Sequence, residues 1–272
     1  MSVTVDMEEN THLDDERILK ALLAPLDWLE WQYCPVVGST NDIALEWAKA
    51  GAPDWGLVIA DQQSAGRGRG DRRWITNPGS ALAISLVIRP SAQKLEMLPR
   101  FTALAALGLV NALEALGLQA EIKWPNDVLL GGKKVAGVLV EMEWQENDLI
   151  ALVVGLGVNV LPESVPPVEQ LRYPAISVAE ASGRMVDRWT LMVNTIKVMK
   201  NLRPLLTLDD FIRVWNNKLA FRGEVKRIHL PGGSIEEFEI LGVTFEGALE
   251  VRDRRGKRVE IVSGEIEIGL QT

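Results

Sequence analysis

The stretch that decides the fold reads, from residue 120 to residue 160, AEIKWPNDVLLGGKKVAGVLVEMEWQENDLIALVVGLGVNV. It turns twice, once at Gly131-Gly132 and once at Glu146-Asn147-Asp148, where glycine and short polar residues favour tight hairpins. Apolar and β-branched residues outside the turns predict strands at residues 120–123, 135–144 and 149–160. Because the connections are short, these strands are expected to be antiparallel neighbours in one sheet.

The segments on either side add strands and helices to the same domain. Apolar runs predict strands at residues 28–37, 56–60 and 81–88. Apolar residues at helical spacing predict a helix at residues 39–49, with Ser39 as its N-cap. The same spacing predicts helices at residues 95–116, 175–182, 188–202 and 208–219. The sequence therefore predicts an α+β fold around a mixed, largely antiparallel sheet.

The pattern changes near residue 220, and short strands separated by glycine turns are predicted at residues 224–230, 237–243, 248–252 and 257–262. Such strands are typical of a small β-barrel. At the other end, the composition predicts disorder for about the first ten residues and a short amphipathic helix at residues 14–23. The expected organisation is an acidic N-terminal extension, a large domain and a barrel, at residues 1–30, 31–219 and 220–272.

The composition excludes several classes of protein. With 272 residues, 47% of them hydrophobic, the chain can bury an ordinary core. It has no apolar run long enough to span a membrane and no signal-peptide pattern at its N-terminus, so a cytoplasmic location is the default. One cysteine, Cys34, excludes an internal disulfide framework, and two isolated histidines, His12 and His229, argue against a structural zinc site.

The net charge of −8 is unevenly distributed, because residues 1–30 hold eight acidic residues against Arg17 and Lys20. An acidic protein lacks the broad cationic face that nucleic acid requires, so DNA is not an expected partner. The positive charge is local instead. Residues 63–74, QSAGRGRGDRRW, place four arginines in a glycine-rich loop between two predicted strands. This arrangement predicts a site for a polyanion or a carboxylate, although glycine and arginine also form plain solvated loops in many proteins.

Five motifs follow one another along the chain: Ser39-Thr40-Asn41, the loop at residues 66–74, Lys123-Trp124-Pro125-Asn126-Asp127, the run GKKVAGVLVE at residues 132–141, and Gly155-Leu156-Gly157-Val158-Asn159. In this order they resemble the biotin protein ligases, also called biotin:[acetyl-CoA-carboxylase] ligases. The resemblance covers the chain from about Val36 to the C-terminus. It implies a class II synthetase-like biotin/lipoate ligase catalytic domain followed by an SH3-like β-barrel. Homodimers formed through the central sheet are common in this family.

The resemblance also implies a two-step reaction. The biotin carboxylate attacks the α-phosphate of ATP and releases pyrophosphate, and the biotinyl-adenylate then acylates one lysine of a carrier domain in a biotin-dependent carboxylase. Two anions must meet in the first step, so fixed cations and Mg²⁺ are expected to offset their repulsion. The loop at residues 66–74 is expected to close over the ligands, since water would destroy the mixed anhydride.

Site residues carry over from the family motifs. The implied biotin contacts are Ser39, Thr40, Asn41, Gln63, Arg67, Gly68, Arg69, Lys134, Gly137 and Leu139. The implied ATP contacts are Arg69, Arg72, Trp74, Lys123, Asn126, Asp127 and Asn159. Lys134 is expected to meet the biotin carboxylate, and Lys134, Lys123 and Arg69 are the expected catalytic residues. Asp127, with Asn126, is the expected Mg²⁺ position.

The chain departs from the family pattern at three places. Regulatory members carry an N-terminal winged helix-turn-helix, whereas only a short acidic segment precedes Ser39 here, so we expect a ligase without repressor activity. Gly70-Asp71 stands where many relatives have an arginine-glycine or similar pair. Gly269 stands where relatives often have an arginine near the nucleotide, which puts the share of the barrel in ATP binding in doubt.

Two rival functions remain open from the sequence. A lipoate or octanoate transferase of the related fold also acylates carrier lysines, but its signature motifs are absent here. A non-catalytic biotin-sensing or anion-binding module is the second rival, and the intact set Lys123, Asn126, Asp127 and Lys134 argues against it.

Overall fold

A seven-stranded sheet organises the large domain in the computed structural model, which describes residues 2–70, 72–89 and 97–268, with side chains from residue 13 onward. Its strands are β1 Trp31–Val37, β2 Gly56–Gln63, β3 Ala81–Ile88, β4 Ala120–Lys123, β5 Asp127–Leu130, β6 Lys133–Gln145 and β7 Asp148–Asn159. They lie in the order β1-β2-β3-β7-β6-β5-β4. Only β1 and β2 pair in parallel, and the other neighbours are antiparallel. The predicted mixed, largely antiparallel sheet is confirmed.

The described helices are α1 Ser2–Leu23, α2 Thr40–Lys49, α3 Leu98–Glu114, α4 Val178–Ser182, α5 Arg188–Leu202 and α6 Asp209–Asn217, with 3-10 turns at Pro162–Ser164, Val168–Gln170 and Arg203–Leu205. The first two residues of the helix predicted at 95–116 lie outside the described part of the chain. Within that part, no helix has the length and apolar character that crossing a bilayer requires.

The sheet is buried on both faces, because alternate residues of its central strands enter two separate cores. Leu57, Leu86 and Val154 pack in a large core with α3 and α5, whereas Val58 and Val87 pack in a smaller core with α2. This alternation follows from the two-residue period of a strand. It leaves α2 on the opposite side of the sheet from α3 and α5, with the first turn of α2 directed at the sheet.

The C-terminal part forms a five-stranded antiparallel sheet, consistent with the expected SH3-like domain. Its strands are β8 Val225–His229, β9 Ile235–Val243, β10 Leu249–Arg252, β11 Arg258–Ile261 and β12 Glu265–Ile266, in the order β11-β10-β9-β8-β12. The sequence did not predict the two-residue β12, nor the four-residue β5 of the large domain. Trp124 joins this sheet to the large domain, since its indole Nε1 donates to the carbonyl of Gly247 at 3.1 Å.

The N-terminal segment packs against the large domain. The prediction of disorder for the first ten residues was wrong, because α1 begins at Ser2. Leu19 and Leu23 are buried in the large core. The Asp15 carboxylate accepts from Arg188 at 2.8 Å and from the indole of Trp189 at 2.9 Å. The segment that the sequence presented as an acidic extension therefore contributes to the core, while the domain limits themselves stay predictions.

We expect Asp15→Asn to destabilise the protein by about 2–4 kcal/mol, because a buried arginine loses one of its anionic partners. Arg188 also contacts Asp61, which keeps the expected loss below that of a fully orphaned charge. Urea unfolding measures the difference. Asp14→Asn is the matched control, because its side chain is 66% exposed and pairs with the exposed Arg17. The control is expected to stay within about 0.5 kcal/mol of the parent protein, and equal losses in both variants would contradict the ion pair's role.

Candidate functional site

A cavity opens over the central sheet where α2 begins, between the loop at residues 66–74 and strands β6 and β7. It contains about 640 Å³ of empty space, part of which is open to solvent. The residues predicted to bind biotin all line it: Ser39, Thr40, Asn41, Gln63, Arg67, Gly68, Arg69, Lys134, Gly137 and Leu139. The fold thus brings together residues from the start of α2, the end of β2, the loop at residues 66–74 and β6.

The first turn of α2 forms one wall through fixed hydrogen bonds. Ser39 occupies the N-cap position, but its side chain makes no capping hydrogen bond. Thr40 instead donates through its backbone N and its Oγ1 to Gln63 Oε1, at 2.8 and 3.0 Å. The backbone N of Gln63 donates to Thr76 Oγ1 at 2.6 Å. Because these buried polar groups are paired with one another, the wall is rigid before any ligand arrives.

Asn41 lies on the floor of the cavity, over a strand position that carries no side chain. Its Oδ1 accepts from Ser85 Oγ at 2.6 Å, and its Nδ2 donates to Glu141 Oε2 at 2.5 Å. A Cβ atom at Gly155 would lie 2.3 Å from Asn41 Oδ1. In the same way, a Cβ atom at Gly157 would lie 2.3 Å from the ring of Trp74. The two glycines of the Gly155–Asn159 motif therefore leave the space that Asn41 on the floor and Trp74 on the loop occupy.

The arginine loop folds back on itself above this floor. Gly68 N donates to Arg72 O at 2.8 Å, and Trp74 N donates to Gly66 O at 2.9 Å. The Arg67 guanidinium forks onto Asp42 at 2.6 and 2.9 Å, and this hydrogen bonding raises the pKa of Arg67. Arg69 is exposed at the cavity, as the biotin prediction requires.

A buried cluster of charges lies beside the cavity. The Lys123 side chain is 1% exposed, and its Nζ lies 3.3 Å from Asp127 Oδ2 and 3.7 Å from Glu265 Oε1. Burial lowers the pKa of Lys123. Burial would raise the pKa of Asp127, but the charges of Lys134 and Lys123 outweigh it and lower that pKa. Lys134 Nζ lies 2.7 Å from Asp127 Oδ1, which holds the ammonium group at the cavity wall.

A second cavity adjoins the first and shares Arg72, Arg73, Trp74 and Lys134 with it. Its other lining residues include Asp127, Asn159, Arg172 and Tyr173. The predicted ATP residues divide accordingly: Arg72, Trp74, Asp127 and Asn159 line the second cavity, whereas Arg69 and Asn126 line only the first. Lys123 lines neither cavity, and it is connected to the site by ion pairs with Asp127 and Glu265. Lys134 stands at the junction of the two cavities.

Several residues that the structure places here had no predicted role in the site. Asp42 and Glu141 hold Arg67, Ser85 holds Asn41, and Tyr173 lines the second cavity. Ser85 carried a signal, because it is the one hydroxyl in the otherwise apolar run at residues 81–88. Tyr173 lies in a proline-rich segment without periodicity, and nothing in the sequence singles it out. Asp71 and Gly269, two of the departures from the family pattern, lie outside the described residues.

Glu265 brings the C-terminal sheet to the site, since its carboxylate pairs with Arg72 through both oxygens and with Arg172 at 3.5 Å. Burial would raise the pKa of Glu265, but the hydrogen bond from Arg72 and the charge of Lys123 lower it below its ordinary value of 4.5. The barrel therefore contributes a carboxylate next to the loop arginines.

The lowered pKa of Glu265 has a consequence for acid stability. A carboxyl group whose pKa is lower in the folded state stabilises the fold above its unfolded pKa, and the contribution is lost as the pH falls through the folded-state pKa. We therefore expect Glu265→Gln to be less stable than the parent at pH 7, with a difference that shrinks as the pH falls below about 4.5. Denaturant unfolding at a series of pH values checks this, and a pH-independent difference would contradict it.

Comparisons with known proteins agree with this geometry. Residues 33–159 match the model of the Biotin/lipoate A/B protein ligase family. The chain is 34% identical over 241 residues to the Bifunctional ligase/repressor BirA of Bacillus spizizenii, covering 87% of this chain and 73% of that protein. It is 35% identical over 237 residues to the Biotin--[acetyl-CoA-carboxylase] ligase of Paracoccus denitrificans, covering 85% of this chain and 97% of that protein.

Among solved structures, the chain is similar to the biotin protein ligase from Aquifex aeolicus in complex with biotin and ATP. The two share 27% sequence identity with a TM-score of 0.74, and the match covers 88% of this chain and 97% of the other. Because 88% of this chain is matched, the likeness extends beyond the large domain into the C-terminal part.

Proposed function

The chain belongs to the biotin protein ligases, within the biotin/lipoate A/B protein ligase family, and on this premise we propose that it is a biotin--[biotin carboxyl carrier protein] ligase. It joins biotin to ATP as biotinyl-5'-AMP and transfers the biotinyl group to one lysine of a carrier domain. The observation that carries the proposal is the position of Lys134 at the junction of two cavities, one with the predicted biotin residues and one with nucleotide candidates.

The first cavity can bind biotin because it places fixed polar groups beside apolar wall residues such as Leu139 and Leu156. The ureido ring of biotin needs donors and acceptors at set positions, which Ser39, Thr40 and Asn41 supply. Leu139 and Gly137 form wall positions on β6, where the uncharged thioether ring and chain would lie. The carboxylate of biotin would then lie near Lys134, the lysine that lines both cavities.

Positive charge lets the two anionic substrates approach each other. Lys134 neutralises the charge of the biotin carboxylate while a carboxylate oxygen attacks the α-phosphorus. Arg72, on the loop, binds the phosphate oxygens. Arg72 is paired with Glu265 in the free protein, so the triphosphate competes with that carboxylate for the guanidinium. Pyrophosphate leaves on the side of the second cavity, and the acyl-adenylate remains across the junction. Trp74 and the loop cover the adenylate and keep water from the anhydride.

In the second step the carrier lysine attacks the acyl carbon and AMP leaves. An amine with an ordinary pKa of about 10.4 must arrive unprotonated. The positive charges of Lys134 and Arg72 disfavour a third cation nearby and so favour the neutral amine.

Magnesium fits the described residues poorly as a protein-bound ion. Both oxygens of Asp127, the predicted ligand, lie in ion pairs with lysines, and Asn126 uses its Nδ2 to donate to Val138 O at 2.8 Å. In the described ranges, no group of three or more His, Cys, Asp or Glu side chains could hold a metal ion. A cation next to two ammonium groups would be repelled, so we assign no step to a metal on Asp127.

Biotin-dependent pyrophosphate release from ATP tests the first step, and transfer of labelled biotin to a purified carrier domain tests the second. We expect both with biotin and neither with lipoate. Release of pyrophosphate with lipoate but not with biotin would favour the transferase-like rival. Tight biotin binding without any release would favour a sensing module and overturn the proposal.

A further inference from the structure

Glu141 joins two parts of the site that are far apart in the sequence. It lies on β6, with its side chain 30% exposed, and it is not itself among the residues that line the cavity. Its Oε2 accepts from Asn41 Nδ2 at 2.5 Å and from the guanidinium of Arg67 at 3.1 Å. One carboxylate oxygen therefore holds both the cavity floor and the loop above it.

On the floor, Glu141 decides which way the Asn41 amide faces. A side-chain amide has one acceptor end and one donor end, and an ionised carboxylate can only accept. With Ser85 Oγ donating to Asn41 Oδ1 at 2.6 Å and Glu141 accepting at the other end, only one orientation satisfies both partners. The floor thereby offers a ligand a fixed polar pattern.

On the loop, Glu141 completes a carboxylate clamp with Asp42. Arg67 donates to Asp42 from α2 and to Glu141 from β6, and the loop follows the position of its guanidinium. Two negative charges on one arginine hold the loop to the rim of the first cavity. The second cavity receives no contact from this clamp, since neither Asn41 nor Arg67 lines it.

We propose that Glu141 is a positioning residue for the acid substrate: it orients the Asn41 amide and anchors Arg67, so that the floor and the loop of the biotin cavity are set by one carboxylate. The inference rests on the proposed function and names a residue that acts through others. Because its contacts end at the first cavity, Glu141 governs binding of biotin and leaves the binding of ATP almost unchanged.

The test compares Glu141→Gln with the parent in biotin-dependent pyrophosphate release. Glutamine keeps the shape, but it carries no charge for Arg67. If its amide oxygen takes the two bonds of Oε2, its NH2 group faces the Arg67 guanidinium at the position where Oε1 accepts at 3.3 Å in the parent. We expect the KM for biotin to rise roughly ten- to a hundredfold, with kcat at saturating biotin and the KM for ATP within about threefold. Glu143→Gln is the matched control, because Glu143 lies two residues along the same strand and pairs with Lys49 at 3.5 Å, away from the cavity. It is expected to behave as the parent protein.

Several results would overturn the inference. They are an unchanged KM for biotin in Glu141→Gln, an equal rise in the KM for ATP, or the same rise in Glu143→Gln. Should Glu141→Gln fail to fold, Glu141→Asp repeats the test, because its shorter carboxylate cannot reach both donors, and the same criteria apply. Failure of the proposed function is separate, since the parent protein would then show no biotin-dependent pyrophosphate release at all.

Discussion

Replacing Lys134 with alanine is expected to reduce biotin-dependent pyrophosphate release by at least about a hundredfold. The variant loses the cation at the junction of the two cavities, where the carboxylate and the α-phosphate must meet. A charge-assisted hydrogen bond is worth about 1.5–3 kcal/mol, and its effect grows when it strengthens in the transition state. Both kcat and the KM for biotin should therefore change, and steady-state assays over a wide range of biotin concentration measure the two separately.

Lys133→Ala is the control for this prediction. Lys133 precedes Lys134 on β6, is exposed, and lines neither cavity. The Lys133→Ala variant removes the same charge from the protein and should keep the rate of pyrophosphate release within about twofold of the parent. Lys134→Ala also takes one ion pair from the buried Asp127, so the unfolding temperature of each variant is needed to separate lost activity from lost fold. A folded Lys134→Ala variant with normal pyrophosphate release would remove the basis of the proposed function.

Strands that are buried on both faces can be predicted well, because they produce uninterrupted apolar runs. The strand at residues 81–88 matches its prediction at both ends. The N-terminal helix was predicted only at residues 14–23, whereas α1 begins at Ser2. Its acidic composition resembles that of a disordered segment, and its attachment depends on Asp15 meeting Arg188, 173 residues away in the chain. Contacts over that distance leave no local pattern in a sequence.

The site residues divide in the same way, into those that a local sequence pattern predicts and those that depend on contacts between distant parts of the chain. The family motifs predicted a set of biotin contacts, and the structure places those residues around one cavity. Residues that hold them in place could not be predicted, because their role depends on strand register. Ser85 on β3 pairs with Gly155 on β7, and the small size of this pair leaves room for Asn41 above it. Glu265 is a further case, since it reaches Arg72 from the C-terminal sheet, 193 residues along the chain.

Gly155→Ala should have an effect on biotin binding comparable to the loss of Lys134, although it removes no functional group. A Cβ atom at this position would lie 2.3 Å from Asn41 Oδ1 and 3.0 Å from Asn41 Cγ, distances that require the side chain to move. Moving it breaks its hydrogen bonds to Ser85 and Glu141. With two such bonds lost, we expect the affinity for biotin to fall by at least about a hundredfold, as measured by calorimetry.

Two further glycines make this prediction specific. Gly38→Ala is the control, because no atom lies within 4 Å of the added Cβ, and it should bind biotin normally. Gly157→Ala would displace Trp74 instead of Asn41, since the indole lies 2.3 Å from the added atom. Because Trp74 lines both cavities, this variant should also weaken nucleotide binding, whereas Gly155→Ala should spare it. Normal biotin affinity in Gly155→Ala would show that the Asn41 amide is not needed where the structure places it.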